Sequence, residues 1–472
     1  MRHTLAGIVL LFATALQAHA QGALPPLPKD LPPPVINRPA PPPEPLDPIP
    51  PFAPPGLKPT PQTLPMPMTL PGVPRPIPEP PPPITIMPQN DSNVVNAAPT
   101  VNFEPVDTFS TFRTWGGMDY SMWWFSKTPI AVPLAVSTTS APGSPGVNIL
   151  GVDPNAHVVL GANSLAQDPS NGGRLWLGFW FDDHRRLGVE IAGLWAETPT
   201  QQVGVQSNVR GVPMYSRPVV IPGLGASVYD ISYPTFVSGK FAIETQQLLQ
   251  GVEANFVGFA VGNQNLFFDI LAGGRFLNLE ERINLNYQMT NLVPLPAFGN
   301  ELLAAGTTAY ASDLYRTRNQ FYGGQIGGRL ESNFGRLSVS MAGKIAFGVN
   351  DMSLDIEGST TRSDRATVYP AGILANGANM GRYRESHFAF VPEANLSVGW
   401  WFTQNLRLKV GYNVLYISEV VRPGSNITNM VHPSAVPVDQ LYGTSPVARS
   451  PSLFQRTDFW AEGLTFGIDF RY

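Results

Sequence analysis

The last nine residues of the chain carry the feature that most constrains its fold, an alternation that ends on an aromatic residue. They read Leu464-Thr465-Phe466-Gly467-Ile468-Asp469-Phe470-Arg471-Tyr472. Successive side chains on a β-strand point to opposite faces, so one face is apolar while the other carries Asp469 and Arg471. This pattern is typical of the closing strand of an outer-membrane barrel, although single strands of soluble sandwiches show it too. We expect a C-terminal barrel signal, read by the barrel-assembly machinery, at Phe466, Ile468, Phe470 and Tyr472.

The first twenty residues have the form of an export signal. Arg2 and His3 precede an apolar run from Leu5 to Leu16, which is too short to cross a bilayer as a stable anchor. Ala18-His19-Ala20 has the small-x-small form that signal peptidases cut, so cleavage would leave Gln21 as the new N-terminus. The chain has no cysteine, which excludes lipid attachment at that point. We predict a signal peptide over residues 1–20, with Ala18, Ala20 and Gln21 at the cleavage site.

A proline-rich segment follows the predicted signal. More than half of the 51 prolines lie between residues 24 and 100. Proline has no backbone donor and fixes its own φ, so neither helix nor sheet can propagate there. We predict a disordered periplasmic linker over residues 21–105, with a reach on the order of 200 Å if fully extended as polyproline II. It is either a passive spacer or a tether to the cell wall or to a periplasmic protein.

The remaining segment, residues 106–472, has the composition of a membrane barrel. It contains no apolar run long enough for a membrane-spanning helix. Charged residues make up 14% of the chain and the formal net charge is −4, which gives no support for nucleic-acid binding. Without cysteines there are no disulfides or thiolate metal sites, so a continuous hydrogen-bonded sheet must supply the stability. A closed barrel provides such a sheet without edges.

The alternation predicts ten strands, which makes the fold class all-β, an antiparallel transmembrane β-barrel. The strands lie at about 112–126, 173–182, 186–196, 247–260, 265–279, 319–332, 336–350, 387–402, 405–420 and 459–472. Short turns alternate with long connections, so short and long loops fall on opposite rims. With both termini in the periplasm, the long loops are extracellular. Residues 226–237 and 282–289 also alternate, and they would raise the number of strands to twelve.

One face of the predicted strands carries charges of both signs. These side chains would face the lumen: Asp119, Arg174, Glu190, Glu253, Asp269, Arg275, Arg329, Glu331, Lys344, Glu393, Arg407, Lys409, Asp469 and Arg471. Eight strands leave an interior that side chains just fill, so ten strands with long opposing charges should be largely plugged. The charges form either a narrow path gated by loops or a salt-bridge network that stiffens the wall.

The opposite face is apolar and suits lipid. It is clearest on the seventh and ninth strands, with Leu337, Val339, Met341, Ile345, Phe347 and Val349, and with Leu406, Leu408, Val410, Tyr412, Val414 and Tyr416. Tryptophan is enriched at the headgroup level of membranes, where its amphipathic ring fits. Five of the nine tryptophans lie near inferred strand ends and are predicted to form an aromatic girdle: Trp124, Trp180, Trp195, Trp400 and Trp460.

Signals for an enzyme are weak. Asp182-Asp183-His184 supplies carboxylates and an imidazole, but in a solvated turn. Ser386 and His387 are neighbours in a strand and therefore point to opposite faces. The glycine-rich stretch 323–328 is not followed by a helix that could bind a phosphate. The six histidines are scattered, so we expect no catalytic residue, no cofactor and no metal site.

Several short pieces, taken in order, give the chain a family resemblance. They are Tyr120-Ser121-Met122-Trp123-Trp124, Gly172-Gly173-Arg174-Leu175, Gly178-Phe179-Trp180, Leu187-Gly188-Val189-Glu190, Arg217-Pro218, Gly251-Val252-Glu253-Ala254-Asn255, Gly273-Gly274-Arg275-Phe276-Leu277-Asn278-Leu279 and Asn319-Gln320-Phe321-Tyr322-Gly323-Gly324-Gln325. In these, residues 112–472 resemble the putative beta-barrel porin family seven, exported proteins found mainly in planctomycetes. The resemblance implies an outer-membrane barrel, with a transport role inferred from the fold.

Three function classes remain open. The leading one is a putative porin, an outer-membrane barrel that forms a narrow or gated pore for small solutes. The second is a structural or surface-display barrel tethered through its proline-rich arm. The third, a hydrolase borne on the loops, lacks a visible site. Outer-membrane lipid is the expected partner in every case.

Overall fold

The computed structural model describes residues 112–162, 164–165, 168–263, 265–449 and 454–472. The predicted signal peptide, its cleavage site and the predicted linker lie outside the described residues. Strands dominate the described part, which contains two short 3-10 helices, Gly424–Asn426 and Pro433–Ala435, and no α-helix. Among these residues no helix is long and apolar enough to cross a bilayer.

Ten long strands close into one antiparallel barrel, which confirms the predicted fold class. They are β1 (Thr114–Phe125), β2 (Ser170–Trp180), β3 (Leu187–Gln206), β4 (Val237–Gly262), β5 (Leu266–Asn291), β6 (Thr308–Phe334), β7 (Leu337–Arg362), β8 (Gly381–Trp401), β9 (Leu406–Val421) and β10 (Arg456–Arg471). Each strand pairs with its neighbours in sequence, and β1 pairs with β10 to close the ring. At the closure, the Thr114 amide donates to the Tyr472 carbonyl at 2.6 Å.

The connections fall on two rims, as the loop lengths predict. Four short turns and both ends of the barrel lie at one rim, here called the turn rim. Its turns are 181–186, 263–265, 335–336 and 402–405. The tight turn at Gly335 has φ +64°, a conformation that glycine adopts without cost. The opposite loop rim carries the long connections 126–169, 207–236, 292–307, 363–380 and 422–455.

The strands β4 to β7 are much longer than predicted, at 26 or 27 residues each. At about 3.4 Å per residue and a tilt near 45°, such strands span about 60 Å along the barrel axis. The apolar band of an outer-membrane barrel is only about 25 Å tall. The additional length lies toward the loop rim. The alternating residues 282–289 lie within β5, so they do not add strands eleven and twelve.

The polarity of the wall reverses along these long strands. On β7 the outward side chains nearest the turn rim are apolar and exposed: Leu337, Met341, Phe347 and Val349. Beyond them the same outward face carries Asp351, Asp355, Glu357 and Ser359. The inward face changes in the opposite sense, from Lys344 to the buried Met352, Leu354 and Ile356. We call the half of the barrel next to the turn rim the lower half and the half next to the loop rim the upper half. The outer face of the lower half is therefore suited to lipid, and that of the upper half to water.

Loops fill the upper half and supply its core. Buried side chains from the long connections pack against the inward wall in one cluster, including Ile130, Leu134, Val219, Ile231, Ile373, Leu374, Ile427 and Val436. Two connections also form a small sheet of the strands Pro133–Ser137, His157–Gly161, Tyr215–Ile221 and Gly225–Ser232. The last of these covers residues 226–232 of the alternating stretch 226–237, so this stretch does not add a separate strand to the barrel wall. The mouth at the loop rim is thus packed like the core of a soluble protein.

Candidate functional site: the charged lumen

The lower half of the barrel encloses a chamber lined with charged and aromatic side chains. Its cavity measures about 150 Å³ and lies against Trp115, Trp176 and Trp180. The chamber exists partly because two neighbouring strands present small side chains to it, among them Ala342 on β7 and Ser397 on β8. Most of the remaining lining residues are charged, and aromatic rings such as Phe259 and Phe267 complete it.

The top of the chamber is held by two carboxylates that share three cations. Glu253 on β4 accepts from Lys344 at 2.7 Å and from Arg174 at 2.6 Å. Glu393 on β8 pairs with Arg275 at 2.5 Å, Arg174 at 3.0 Å and Lys344 at 3.4 Å. Both carboxylates are buried, so each depends on several partners to offset its lost hydration. This group joins strands from opposite sides of the barrel.

A second group joins β6 to the three neighbouring strands β9, β10 and β1. Glu331 pairs with Arg471 at 2.6 Å and with Arg407 at 3.2 Å. Arg407 also bonds Asp469, whose other oxygen lies 3.1 Å from Lys409. Asp119 extends this network of ion pairs, since its Oδ1 lies 3.2 Å from Nζ of Lys409. The ammonium of Lys409 in addition sits 4.0 Å above the ring of Trp176, a cation–π contact.

A third group lies on β3, β5 and β6. The guanidinium of Arg329 pairs with Glu190 at 2.9 Å and with Asp269 at 3.2 Å. Glu190 also accepts a hydrogen bond from Trp115 Nε1 at 2.7 Å. The tryptophan ring is thereby fixed against the chamber.

Every predicted lumen residue belongs to one of these three groups. Seven carboxylates face seven cations: Asp119, Glu190, Glu253, Asp269, Glu331, Glu393 and Asp469 against Arg174, Arg275, Arg329, Lys344, Arg407, Lys409 and Arg471. The alternation alone therefore selected side chains that meet in space. Their charges balance, so these pairs give the chamber wall no net charge.

Aromatic rings and a guanidinium narrow the chamber at the turn rim. Arg185, in the turn before β3, has its guanidinium carbon 4.3 Å from the ring centre of Phe112 and 5.6 Å from that of Phe267. The Arg471 guanidinium lies 5.2 Å from the Phe112 ring on the chamber side. These stacked planar groups line the cavity at its lower end.

An apolar layer closes the lumen above the charged chamber. It consists of inward side chains from nine of the ten strands: Trp123, Phe125, Ala196, Leu249, Leu277, Leu279, Phe321, Ala346, Ala389, Val391, Leu415, Ile417, Val420, Phe459 and Ala461. None is more than 9% exposed. The ring of Phe321 lies over Gly323 of the same strand, where an added Cβ would come within 2.5 Å of Cζ. Because the layer is built from the wall itself, it blocks the lumen without help from the loops.

A buried ion pair braces the barrel directly above this layer, and no pattern in the sequence indicates it. Arg422, just after β9, pairs with Glu281 on β5 at 2.8 Å. Its Nη1 donates to both the Ser126 hydroxyl and the Lys127 carbonyl, each at 3.0 Å. Gln247 adds a bond to Glu281 at 2.6 Å. A single arginine in a long loop has no periodic context, so alternation could not identify it.

The predicted tryptophan girdle is only partly on the outside. Trp195, Trp400 and Trp460 face outward and are 42–45% exposed, and Trp124 is partly exposed. The assignment of Trp180 to the girdle is wrong: it is 4% exposed and its ring centre lies 4.7 Å from that of Trp115 inside the chamber. The physical reason is parity, because Trp180 is an even number of positions from the inward Arg174.

The sequence candidates for catalysis do not assemble in the described part of the chain. Asp183 pairs with Arg113 in an exposed turn. Ser386 donates to Asp351 at 2.6 Å, while His387 faces Glu385 at 3.1 Å, so the hydroxyl and the imidazole have different partners. The stretch 323–328 lies inside β6 as extended strand. Within the described ranges, no group of three His, Asp or Glu side chains could hold a metal ion.

Comparison with known proteins bears on the fold and the family. The search of curated proteins found no match. Among solved structures, the chain is similar to the outer membrane protease OmpT from Escherichia coli, with 8% identity, a TM-score of 0.38, and coverage of 77% of this chain and 98% of that one. It is also similar to the P. putida toluene transporter TodX, with 7% identity, a TM-score of 0.22, and coverage of 78% and 92%.

These structural likenesses are too distant to support a functional argument. The family comparison is more specific, because the model described as putative beta barrel porin-7 matches residues 115–472. It confirms the resemblance seen in the sequence. The chain belongs to this family and is an outer-membrane β-barrel protein.

Proposed function

We propose that this protein is a gated conduit for small solutes across the outer membrane, closed in the conformation described above. The turn rim would face the periplasm and the loop rim the outside, after export by the signal peptide 1–20. The observation that carries the proposal is the charged chamber, a cavity lined by charged and aromatic side chains and enclosed by a wall whose outer face is apolar at the same level. A purely structural wall gains little from a cavity there, because filling space with packed side chains is more stabilising.

The chamber favours small polar solutes that carry both charges. Its cavity of about 150 Å³ is too small for an oligomer. Carboxylates and cations alternate around it, and Trp176 offers an aromatic face beside Lys409. A zwitterion could exchange its own charges for existing pairs without leaving a buried charge unpaired. A solute of one charge would break a pair.

Opening requires the apolar layer to rearrange. The wall side chains Leu277 and Phe321 occupy the lumen and are about 1% exposed. Loop movement alone would leave them in place. The conduit would therefore conduct rarely at rest, and trimming these side chains should remove one of its two barriers, the other being the loop-built core of the mouth.

Planar bilayers provide the test. We expect the wild-type barrel to show rare, brief openings and the Leu277→Ala, Phe321→Ala double variant to show longer and more frequent ones. Phe347→Ala is the matched control, because Phe347 lies on the outward face of β7 and is 47% exposed. Folding of each variant is verified by circular dichroism and by comparing the electrophoretic mobility of unheated and heated samples in detergent gels. A folded double variant that stays silent at every voltage would refute the conduit.

One observation favours a second function, a structural or display barrel. The side chains of the apolar layer belong to nine strands of the wall itself, an arrangement that suits a permanent seal. In that case the barrel would carry the loop-built core as an outward-facing module, and residues 21–105 would link it to the cell wall or a periplasmic protein. Retention of the mature chain on cell-wall sacculi, with and without residues 21–105, tests this function. Retention that depends on the arm supports tethering, and equal retention contradicts it.

A further inference from the structure

One segment of the connection 363–380 is buried inside the mouth of the barrel. The residues Ala371–Asn379, here called the plug, are each less than 9% exposed apart from Gly377. Ile373, Leu374 and Ala375 are fully buried within the loop-built core. Half of this connection thus lies inside the wall, although a surface loop would normally keep its backbone in water.

A single carboxylate on the wall holds the backbone of the plug. Asp313 lies on the inward face of β6 and is fully buried. Its Oδ1 accepts from the Leu374 amide at 3.0 Å and from the Ala375 amide at 2.9 Å. The plug approaches so closely that an added Cβ on Gly372 would overlap the same oxygen. Thr360 on β7 adds a bond to the Ala371 carbonyl at 2.6 Å.

The charge of Asp313 is not matched by a direct ion pair among the described residues. Three titratable groups face it, namely Arg217 from the strand Tyr215–Ile221, Tyr287 from β5 and Tyr315 from β6. Arg217 is fully buried and donates from Nη1 to the Leu134 carbonyl at 2.7 Å. Its Nε and Nη2 have no hydrogen-bond partner. An ionised Asp313 therefore relies on backbone amides and a cation held at a distance.

We propose that the plug is the movable gate of the barrel mouth and that protonation of Asp313 locks it in its seat. Ionisation of the buried carboxylate would loosen the plug, because the charged group gains hydration when the plug leaves. This inference rests on the proposed function in one respect, because a gate has a role only if the barrel is a conduit. The movement of the plug can be measured without any conduction.

The direction of the pH response follows from burial. Burial raises the pKa of the Asp313 carboxyl from its ordinary 3.8 to about 6, against the effect of the amides and of Arg217. Asp313 lies on the loop-rim side of the outward Arg316 and Arg318, above the lipid-facing band. The seated position of the plug is most stable below pH 3.8, where Asp313 is protonated in both the seated and the open state. Its stability relative to the open state falls as the pH rises through 6. A difference of two pKa units changes the equilibrium by about 100-fold.

Tyr287, Tyr315 and Arg217 cannot produce this response. Burial raises the pKa of both tyrosines, so they remain neutral in the tested range. An arginine stays charged throughout.

Thiol labelling tests the gate directly, because the wild-type chain has no cysteine. Ala378→Cys places a thiol on the buried side of the plug, and Gly377→Cys places one on its exposed side, where an added Cβ meets nothing within 4 Å. The purified barrel in detergent is treated with a water-soluble maleimide between pH 5 and pH 8. Dividing the rate at position 378 by the rate at 377 removes the ordinary pH dependence of thiol reactivity.

We expect this ratio to rise about tenfold from pH 5 to pH 8, with a midpoint near 6. Adding Asp313→Asn, which keeps an acceptor oxygen but cannot titrate, should make the ratio independent of pH. A flat ratio in the Asp313 protein overturns the proposal. So does an equal rise in both proteins, since the response would then belong to another group. Should the Asn variant fail to fold, the midpoint in the Asp313 protein still decides, because a midpoint far from 6 excludes this carboxylate.

Discussion

Arg422 and Glu281 form an ion pair of 2.8 Å across the mouth of the barrel, although 141 positions separate them in the sequence. The arginine lies just after β9 and the glutamate lies on β5, and their side chains are 2% and 1% exposed. The pair draws the ends of two long loops into the lumen, since Arg422 also bonds Ser126 and Lys127. It sits on the apolar layer and so couples the loop-built core to the wall.

Replacing one partner of this pair should be strongly destabilising. Arg422→Met would leave Glu281 buried with Gln247 as its remaining donor, at a cost of about 3–5 kcal/mol in the free energy of unfolding. Arg316→Met is the matched control, because its pairing with Glu357 is exposed and long at 3.7 Å, and should cost less than about 1 kcal/mol. Urea unfolding in detergent, followed by tryptophan fluorescence, measures both. Equal costs would mean that the buried pair does not brace the mouth.

Two glycines on neighbouring strands should respond oppositely to alanine. At Gly323 an added Cβ would lie 2.5 Å from Phe321 Cζ and 2.6 Å from the Phe347 carbonyl, so Gly323→Ala should cost about 1–3 kcal/mol. At Gly343 nothing lies within 4 Å, so Gly343→Ala should be neutral or stabilising by up to about 1 kcal/mol. Unfolding midpoints distinguish the two. A tolerated Gly323→Ala would show that the apolar layer packs loosely.

The shared carboxylate Glu393 should control both stability and selectivity. Glu393→Gln leaves Arg174, Arg275 and Lys344 with Glu253 as their remaining carboxylate, and it should cost about 3–5 kcal/mol. In a barrel opened by trimming the apolar layer, the same change should shift the reversal potential toward anions. Glu280→Gln on the outer face of β5 is the control, since its pair with Arg318 is half exposed. An unchanged reversal potential would place the ion path away from this group.

The buried Asp313 predicts a pH-dependent difference in stability. Because burial raises its pKa to about 6, folding favours the protonated form, and this contribution is lost as the pH rises through 6. At pH 8, Asp313→Asn should therefore gain up to about 3 kcal/mol relative to the wild type, compared with the difference between the two proteins at pH 4. Unfolding curves at the two pH values provide the comparison. A constant difference would contradict the raised pKa.

The lower half of the barrel could be predicted because a single physical rule governs it. Where lipid lies outside and charge inside, alternation alone assigns each side chain to a face, and Arg174, Glu253 and Glu393 contact one another inside the barrel. Trp180 is the exception in that half. It lies near a strand end, where a tryptophan suits the headgroup level, but its even spacing from Arg174 turns its side chain inward.

The upper half could not be read in the same way. There the wall turns its apolar side chains inward, so residues such as Phe241 and Ile243 follow alternation with the two faces exchanged. The prediction therefore began β4 at residue 247, whereas the strand begins at Val237. Contacts such as Asp313 with Leu374 depend on loops folding back into the barrel, which no local pattern specifies.

One continuous wall has lipid outside its lower half and water outside its upper half. Cysteines placed singly along the outward face of β7 test it, at the exposed positions Met341, Phe347 and Ser359. In proteoliposomes treated with a membrane-impermeant maleimide, Ser359→Cys should react fully, while Met341→Cys and Phe347→Cys should react only after the protein is unfolded in denaturant. Rapid labelling of positions 341 and 347 in intact liposomes would contradict the claim, because water would then cover the apolar band.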